Sequence, residues 1–245
     1  MGWAKRGISP HARAAYLAKV GRIVHPGSDV SVRDVSAQAG PVAGKAEHHH
    51  IPTMAILKIA RMGHPVLSRV AEPVADPRAP EARALVASMV ETMIDANGAG
   101  LAAPQVYVPR RVVIFQAPPE RMPEGVGEEE AFDHTAALTV LINPEIEILT
   151  SEIQMGWEGC LSVPGLRGLV PRYADIVYRG FGLDGQPIER RAKGFHARVV
   201  QHECDHLDGI LYPQRMTDLR DLIFESEARH RMEAEAARQK EKANA

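Results

Sequence analysis

A five-residue pattern, His202-Glu203-Cys204-Asp205-His206, constrains the fold of this chain more than any other stretch. Two histidines four residues apart lie on one face of an α-helix, so both imidazoles can bind one cation. Glu203 lies about 100° around the helix from His202, which suits a general base better than a further ligand. The pattern predicts a metal-binding helix from Gly194 to about Leu207. The alternative is an ordinary solvated helix rich in His and Glu.

A metal site of this kind needs a third protein ligand and an open position for water. The chain has two cysteines, Cys160 and Cys204. Cys204 lies about 200° around the helix from His202 and points away from the metal face, so Cys160 is the candidate thiolate. Two alternatives stay open for Cys160, namely a buried structural thiol and a disulfide with Cys204. The disulfide is disfavoured because no secretion signal is recognised.

A run of small residues, Gly98-Ala99-Gly100-Leu101-Ala102-Ala103-Pro104-Gln105, forms a further motif. Glycine and alanine leave the backbone open to close approach by a ligand, and Gln105 places an amide donor at the end of the run. Taken alone, Asn97-Gly98 predicts the end of a helix and the rest a turn. The run is not a phosphate-binding loop, because it lacks the Gly-Lys-Ser/Thr ending.

Three motifs in this order resemble the peptide deformylase family, whose patterns are G-x-G-L-A-A-x-Q, E-G-C-L-S and Q-H-E-x-D-H. They are Gly98–Gln105, Glu158–Ser162 and Gln201–His206. Arg61–Leu67 and Pro171-Arg172 also resemble family segments, and the resemblance covers roughly residues 54–215. Ala99 departs from the pattern, since the family more often has a larger aliphatic residue there. A smaller residue would widen the substrate groove.

The resemblance implies a metal-dependent hydrolase that removes the N-formyl group from the first methionine of nascent polypeptides and releases formate. Cys160, His202 and His206 would bind one divalent cation with a water in the fourth position. Glu203 would act first as general base and then as general acid. Fe(II) is the expected ion, and Zn(II), Ni(II) and Co(II) also suit these ligands.

The resemblance also implies supporting roles around the metal. The side chain of Gln105 and the backbone N–H of Leu161 would stabilise the oxyanion. Glu158 and Arg167 match a charged pair that supports the site in the family. The alternative for this pair is an ordinary surface ion pair.

Five residues are expected to contact the substrate. The backbone at Gly98, Ala99 and Gly100 would pair with the peptide by strand addition, and any side chain at Gly100 would collide with the formyl group. Phe195 and Val199 would line an apolar pocket for the first side chain, or would simply pack in the core.

The length of 245 residues allows one domain or two small ones, and periodicity past Met54 favours mixed α and β structure. With the family resemblance, we expect one compact α+β domain over residues 54–245, with short antiparallel or mixed sheets around the metal helix. An N-terminal helix is predicted at Pro80–Asn97 and a charged C-terminal helix from Thr217. The predicted strands are Arg111–Phe115, Thr139–Asn143, Glu145–Leu149 and Asp175–Arg179, with a hairpin turn at Asp184-Gly185 and a polar loop over residues 117–136.

Charge and hydropathy limit the partners. A formal net charge of −2 provides no electrostatic footprint for DNA or a membrane, and no apolar run approaches the ~18 residues of a spanning helix. The expected partners are formyl-methionyl nascent peptides, with ribosome contact through the C-terminal helix as an option.

Residues 1–53 differ from the rest, with no acidic residue before Asp29 and no sustained apolar period. We expect a disordered leader or an over-called start, with Met54 as the natural first residue. The expected location is the cytoplasm. An organelle is the alternative if the basic leader is a genuine transit peptide.

Two rival functions remain open. A generic H-E-x-x-H metallopeptidase would take its third ligand downstream and would leave Cys160 and Gln105 unexplained. A non-catalytic module that docks on ribosomes or peptides would need neither Glu203 nor the three ligands.

Overall fold

The computed structural model describes residues 55–231 and residue 233 of the chain, so the expectations for residues 1–53 lie outside the described part. The domain is α+β, as predicted. The helices are α1 (Pro80–Asp95), α2 (Glu128–His134) and α3 (Gly194–Leu207). The strands are β1 (Gly100–Ala102), β2 (Val112–Ala117), β3 (Ala136–Ile148), β4 (Ile153–Cys160), β5 (Val163–Tyr173), β6 (Asp175–Phe181), β7 (Pro187–Lys193) and β8 (Ile223–Phe224).

The strands form two antiparallel sheets, a five-stranded sheet in the order β1-β2-β3-β6-β7 and a three-stranded sheet in the order β4-β5-β8. The predicted turn at Asp184-Gly185 joins β6 to β7, and Gly185 adopts a φ of +76° there. In the part of the chain that the structure describes, no helix combines the length and apolarity needed to cross a bilayer.

Helix α3 bridges the two sheets. One face packs Val200 and Leu207 into a buried cluster with Phe115 of the five-stranded sheet. A second face meets β5, where the Gln201 side chain accepts from Tyr173 N–H at 3.1 Å and donates to Tyr173 O at 2.9 Å. The helix predicted from the H-E-x-x-H pattern therefore forms, with the predicted bounds.

The N-terminal helix begins at Pro80, as predicted, and ends at Asp95, two residues before the predicted Asn97. Asn97 follows α1 with a φ of +54°, and Gly98 N–H donates to Met93 O at 2.9 Å. This left-handed residue with its return hydrogen bond is a common way to end a helix. It turns the chain directly into β1.

Other predicted elements are wrong in part. The strands expected at Thr139–Asn143 and Glu145–Leu149 are one strand, β3, whose pairing with β6 shifts between Ile142 and Glu145. The loop expected over residues 117–136 contains α2.

The C-terminal helix expected from Thr217 is wrong for its first part. Ile223 pairs with Arg167 on the edge of β5, so strand β8 and short 3₁₀ turns replace a continuous helix. Helical structure begins at Ala228. Residues 232 and 234–245 of the segment expected to contact the ribosome lie outside the described residues.

Candidate active site

Three candidate metal ligands converge between α3 and the end of β4. The ligand atoms of Cys160, His202 and His206 all lie within 4.8 Å of one another. Cys160 Sγ is 3.3 Å from His206 Nε2, close to the edge of a tetrahedron with metal–sulfur and metal–nitrogen bonds of about 2.3 and 2.1 Å. The structure therefore brings together the three residues singled out in the sequence.

The two histidines differ in protonation, but both are oriented as ligands. Burial holds the pKa of His206 well below its ordinary value, so this imidazole is neutral. His202 Nδ1 lies 2.8 Å from Glu158 Oε2, which makes Nδ1–H the donor to the carboxylate. Burial alone would lower the pKa of His202, but hydrogen bonds to Cys160 and Glu158 outweigh burial and raise that pKa well above its ordinary value. The Nε2 atom of His202 would therefore release its proton when a cation binds.

The expected pairing of Glu158 with Arg167 is wrong. Arg172 donates to both carboxylate oxygens of Glu158, from Nε at 2.9 Å and from Nη2 at 3.0 Å. Arg167 donates instead to Glu225 at 2.8 Å. Glu158 pairs with Gly168 across the β4–β5 hairpin, and side chains alternate between faces. Arg172, four residues on, therefore shares the face of Glu158, whereas Arg167 points to the other face.

Arg172 links Glu158 to the helix that carries the ligands. Its Nη1 donates to Asp205 at 2.6 Å, and Arg215 donates to the same carboxylate at 2.7 Å. Burial alone would raise the pKa of Glu158, but hydrogen bonds from His202 and Arg172 outweigh burial and hold the pKa well below its usual range. Glu158 is therefore an anion that holds the His202 ring. Sequence motifs assigned no role to Arg172, Asp205 or Arg215, although Pro171-Arg172 matched a family segment.

Glu203 is buried, and its Oε2 has no hydrogen-bond partner among residues 55–231 and 233. Burial raises the pKa of Glu203 to about 7. A Cβ on Gly100 would lie 2.6 Å from Glu203 Cδ. The requirement for glycine at residue 100, which we expected from the substrate, thus already arises from the carboxylate itself.

The amide of Gln105 is fixed in one orientation. Its Oε1 accepts from Ala102 N–H at 2.8 Å, so its Nε2 must face the site, where it lies 3.1 Å from Ser162 Oγ and 3.5 Å from Cys160 Sγ. Ser162 is fully buried and also directs its N–H to Cys160 Sγ at 3.4 Å. Two donors therefore point at the sulfur of Cys160. No motif had assigned a role to Ser162.

Leu161 lies between the ligand Cys160 and Ser162, beside the run of small residues. A Cβ on Gly98 would be 3.0 Å from Leu161 Cδ1. Gly98 and Ala99 lead into β1, which is the edge strand of the five-stranded sheet. The expected substrate-binding backbone therefore begins beside the side chain of Leu161.

Phe195 and Val199 pack with the buried cluster that contains Phe115. Val199 is buried and Phe195 half-buried, with the Arg121 guanidinium 4.8 Å from the centre of the Phe195 ring. These contacts are those of core residues, and a role in lining a substrate pocket remains a prediction. Cys204 belongs to the same cluster, on the side of α3 away from the ligands, as predicted.

Known proteins match this chain along most of the described domain. The model of the family Polypeptide deformylase matches residues 56–221. Peptide deformylase 1 of Bordetella pertussis is 55% identical over 163 residues, which cover 66% of this chain and 88% of the relative. Peptide deformylase 2 of Ralstonia nicotianae is 52% identical over 165 residues, with the same two coverages of 66% and 88%.

Solved structures give the same result. The Met-Ala-Ser-bound class I type b peptide deformylase from Acinetobacter baumannii superposes with a TM-score of 0.59 at 37% identity, covering 66% of this chain and 99% of that chain. The enzyme from Ehrlichia chaffeensis superposes with a TM-score of 0.62 at 30% identity, covering 68% and 91%. The chain therefore belongs to the peptide deformylase family, a family of enzymes.

Proposed function

We propose that this enzyme is a metal-dependent hydrolase that removes the N-formyl group from polypeptides beginning with formyl-methionine and releases formate. Membership of the family supports removal of the formyl group. The Met-Ala-Ser peptide bound to the Acinetobacter baumannii relative supports methionine as the first residue. The observation that carries the proposal is the convergence of Cys160, His202 and His206 beside a buried Glu203.

The donor set fits a divalent cation. A thiolate and two neutral imidazoles suit Fe(II), Zn(II), Ni(II) and Co(II), and the carboxylate of Glu158 orients the His202 ring from behind. We propose Fe(II) as the native ion. A cation held by Cys160, His202 and His206 would supply Lewis acidity and would lower the pKa of a bound water to about 7.

Glu203 is suited to move the proton. With a pKa of about 7, its carboxylate can accept a proton from the attacking water and then deliver it to the departing amine. Delivery matters as much as acceptance, because an unprotonated amine is a poor leaving group.

Gln105 and Leu161 would stabilise the negative charge that develops on the formyl oxygen. The hydrogen bond from Ala102 to Gln105 Oε1 holds the amide donor in place before substrate binds. A donor oriented in advance needs no reorganisation during the reaction. The backbone N–H of Leu161 would supply the second donor.

The peptide would bind as an added strand along Gly98, Ala99 and Gly100, beside β1, which is the edge strand of the described sheet. Phe195 and Val199 would contribute to the pocket for the methionine side chain. Because the proposed substrate is a nascent chain, we propose that the enzyme acts in the cytoplasm, or in an organelle if residues 1–53 direct the chain there.

The proposal is tested by formate release from a formyl-Met-Ala peptide, with protein purified without oxygen and loaded with Fe(II) or Ni(II). We expect rapid formate release without cleavage of internal peptide bonds. Cleavage of internal bonds would favour a general metallopeptidase. A protein with bound metal that releases no formate would overturn the proposal and favour a docking module.

A further inference from the structure

Arg198 lies one turn before His202 on α3, and its side chain reaches to the three-stranded sheet. Its Nη1 donates to Glu158 Oε1 at 2.8 Å and to Val170 O at 2.9 Å. Its Nη2 donates to Gln154 O at 2.6 Å. The guanidinium thus joins α3 to both β4 and β5, and only 12% of the side chain is exposed.

Gly156 provides the space that this guanidinium occupies. A Cβ at residue 156 would lie 2.6 Å from Arg198 Cζ and 2.7 Å from Arg198 Nη2, closer than real Cβ contacts. The backbone of Gly156 is not in the left-handed region, so no turn requires glycine here. A glycine inside a strand weakens it unless another group must approach closely. The approaching group here is Arg198.

The carboxylate of Glu158 is held from two elements. Oε1 accepts from Arg172 Nε and Arg198 Nη1, and Oε2 accepts from Arg172 Nη2 and His202 Nδ1. Arg172 comes from β5 and also binds Asp205, whereas Arg198 comes from the helix that carries His202. Loss of Arg198 would leave Oε1 with a single donor, and the carboxylate would then be joined to α3 through His202 without the guanidinium that fixes it.

We infer that Arg198 is a positioning residue, which fixes Glu158 and thereby the His202 ring in a space that Gly156 keeps open. The inference rests on the proposed metal site. Arg198 acts through Glu158, since its hydrogen bonds go to that carboxylate and to carbonyl oxygens of β4 and β5. Partners that orient a metal-ligating histidine are typically worth about 10- to 100-fold in metal affinity or activity.

The test measures Co(II) affinity of the metal-free full-length protein by competition with a chelator. Arg198→Met keeps an unbranched stem but removes every donor, and we expect Co(II) affinity to fall about 10-fold or more. Gly156→Ala keeps the positive charge of Arg198 but displaces its guanidinium. The Co(II) affinity of this variant should therefore also fall below that of the wild type. The double variant should bind Co(II) no more weakly than Arg198→Met, because both changes remove one contact.

A matched control is Arg190→Met. Arg190 also donates from a guanidinium to backbone carbonyls, those of Phe132 and Thr135, at a distance from the ligands. We expect this variant to keep wild-type Co(II) affinity. The absorption spectrum of bound Co(II) should change in Arg198→Met and Gly156→Ala but not in the control, since it reports ligand geometry.

Wild-type Co(II) affinity and spectrum in a folded Arg198→Met protein would overturn the inference. An equal loss in Arg190→Met would also overturn it, because the effect would then be general destabilisation. If Arg198→Met does not fold, Gly156→Ala decides alone by the same two measurements. Failure of the proposed function would be seen in the wild-type protein, which would then bind no metal through Cys160 or release no formate. Failure of the inference about Arg198 would be seen only in the variants.

Discussion

The carboxylate of Glu203 packs against the α-carbon of Gly100, with no room between them for a methyl group. Because Gly100 begins the edge strand β1 and Glu203 lies on α3, this contact sets how closely the expected peptide-binding edge approaches the expected proton carrier. The smallest side chain at residue 100 would have to push the carboxylate aside.

We therefore expect Gly100→Ala to lower kcat by on the order of 100-fold or more, the range typical of lost general acid–base catalysis. Bound metal should be retained, because Cys160, His202 and His206 are untouched. Formate release and metal content measure the two effects. Gly127→Ala is the control, since a Cβ there meets nothing within 4 Å and φ is −69°. An active Gly100→Ala enzyme would show that Glu203 moves freely.

Glu203→Gln should separate proton transfer from metal binding. The amide fills the same space but cannot take a proton at neutral pH, so kcat should fall by about 10²- to 10⁴-fold with metal retained. The wild-type rate should decline on acidification, because only the ionised form of Glu203 is a base and burial raises its pKa to about 7 in the protein without metal. A bound cation would move this limb to lower pH. A wild-type rate that rises on acidification would contradict the assignment.

Replacement of Arg172 and replacement of Arg167 should differ sharply in their effect on stability. Arg172→Ala would leave the carboxylates of Glu158 and Asp205 with a buried partner missing, and should lower the free energy of unfolding by about 3–5 kcal/mol. Arg167→Ala removes a pair in which half of the Glu225 side chain is exposed, and should cost about 1 kcal/mol or less. Denaturant unfolding of both variants measures the difference. Equal losses of unfolding free energy in the two variants would mean that Arg172 is not the buried partner of Glu158 and Asp205.

The metal helix was predictable because its information is local. The spacing of His202, Glu203 and His206 within one helical turn sets their relative directions, and the structure keeps the predicted bounds. Gln105 and Cys160 were singled out by family motifs, and the structure brings both to the helix.

The partner of Glu158 was not predictable in the same way. It depends on the register of β4 and β5, in which Glu158 pairs with Gly168, and a change of one residue would have turned Arg167 to the same face. The role of Gly156 depends on Arg198, which is 42 residues away. The prediction of a helix from Thr217 was wrong because pairing of Ile223 with β5 overrides a helix-favouring composition.

A buried histidine outside the metal site should make stability depend on pH. His196 is fully buried, and its Nδ1–H donates to Asp133 O at 2.8 Å. Burial is the main cause that lowers its pKa to about 4, against about 6.5 in an unfolded chain. Between these two values the unfolded chain binds a proton that the folded protein does not. Stability should therefore fall as pH drops from about 6.5 to about 4, by up to about 3 kcal/mol.

His196→Asn keeps a donor for Asp133 O but cannot titrate, so it isolates this contribution from those of the carboxylates. Metal-free wild type and variant would be unfolded with denaturant at pH 7, 6 and 5. We expect the free energy of unfolding of the wild type to fall more steeply towards pH 5, because only the wild type gains a proton on unfolding at that residue. Parallel curves for the two proteins would mean that His196 is protonated in the folded state despite its burial.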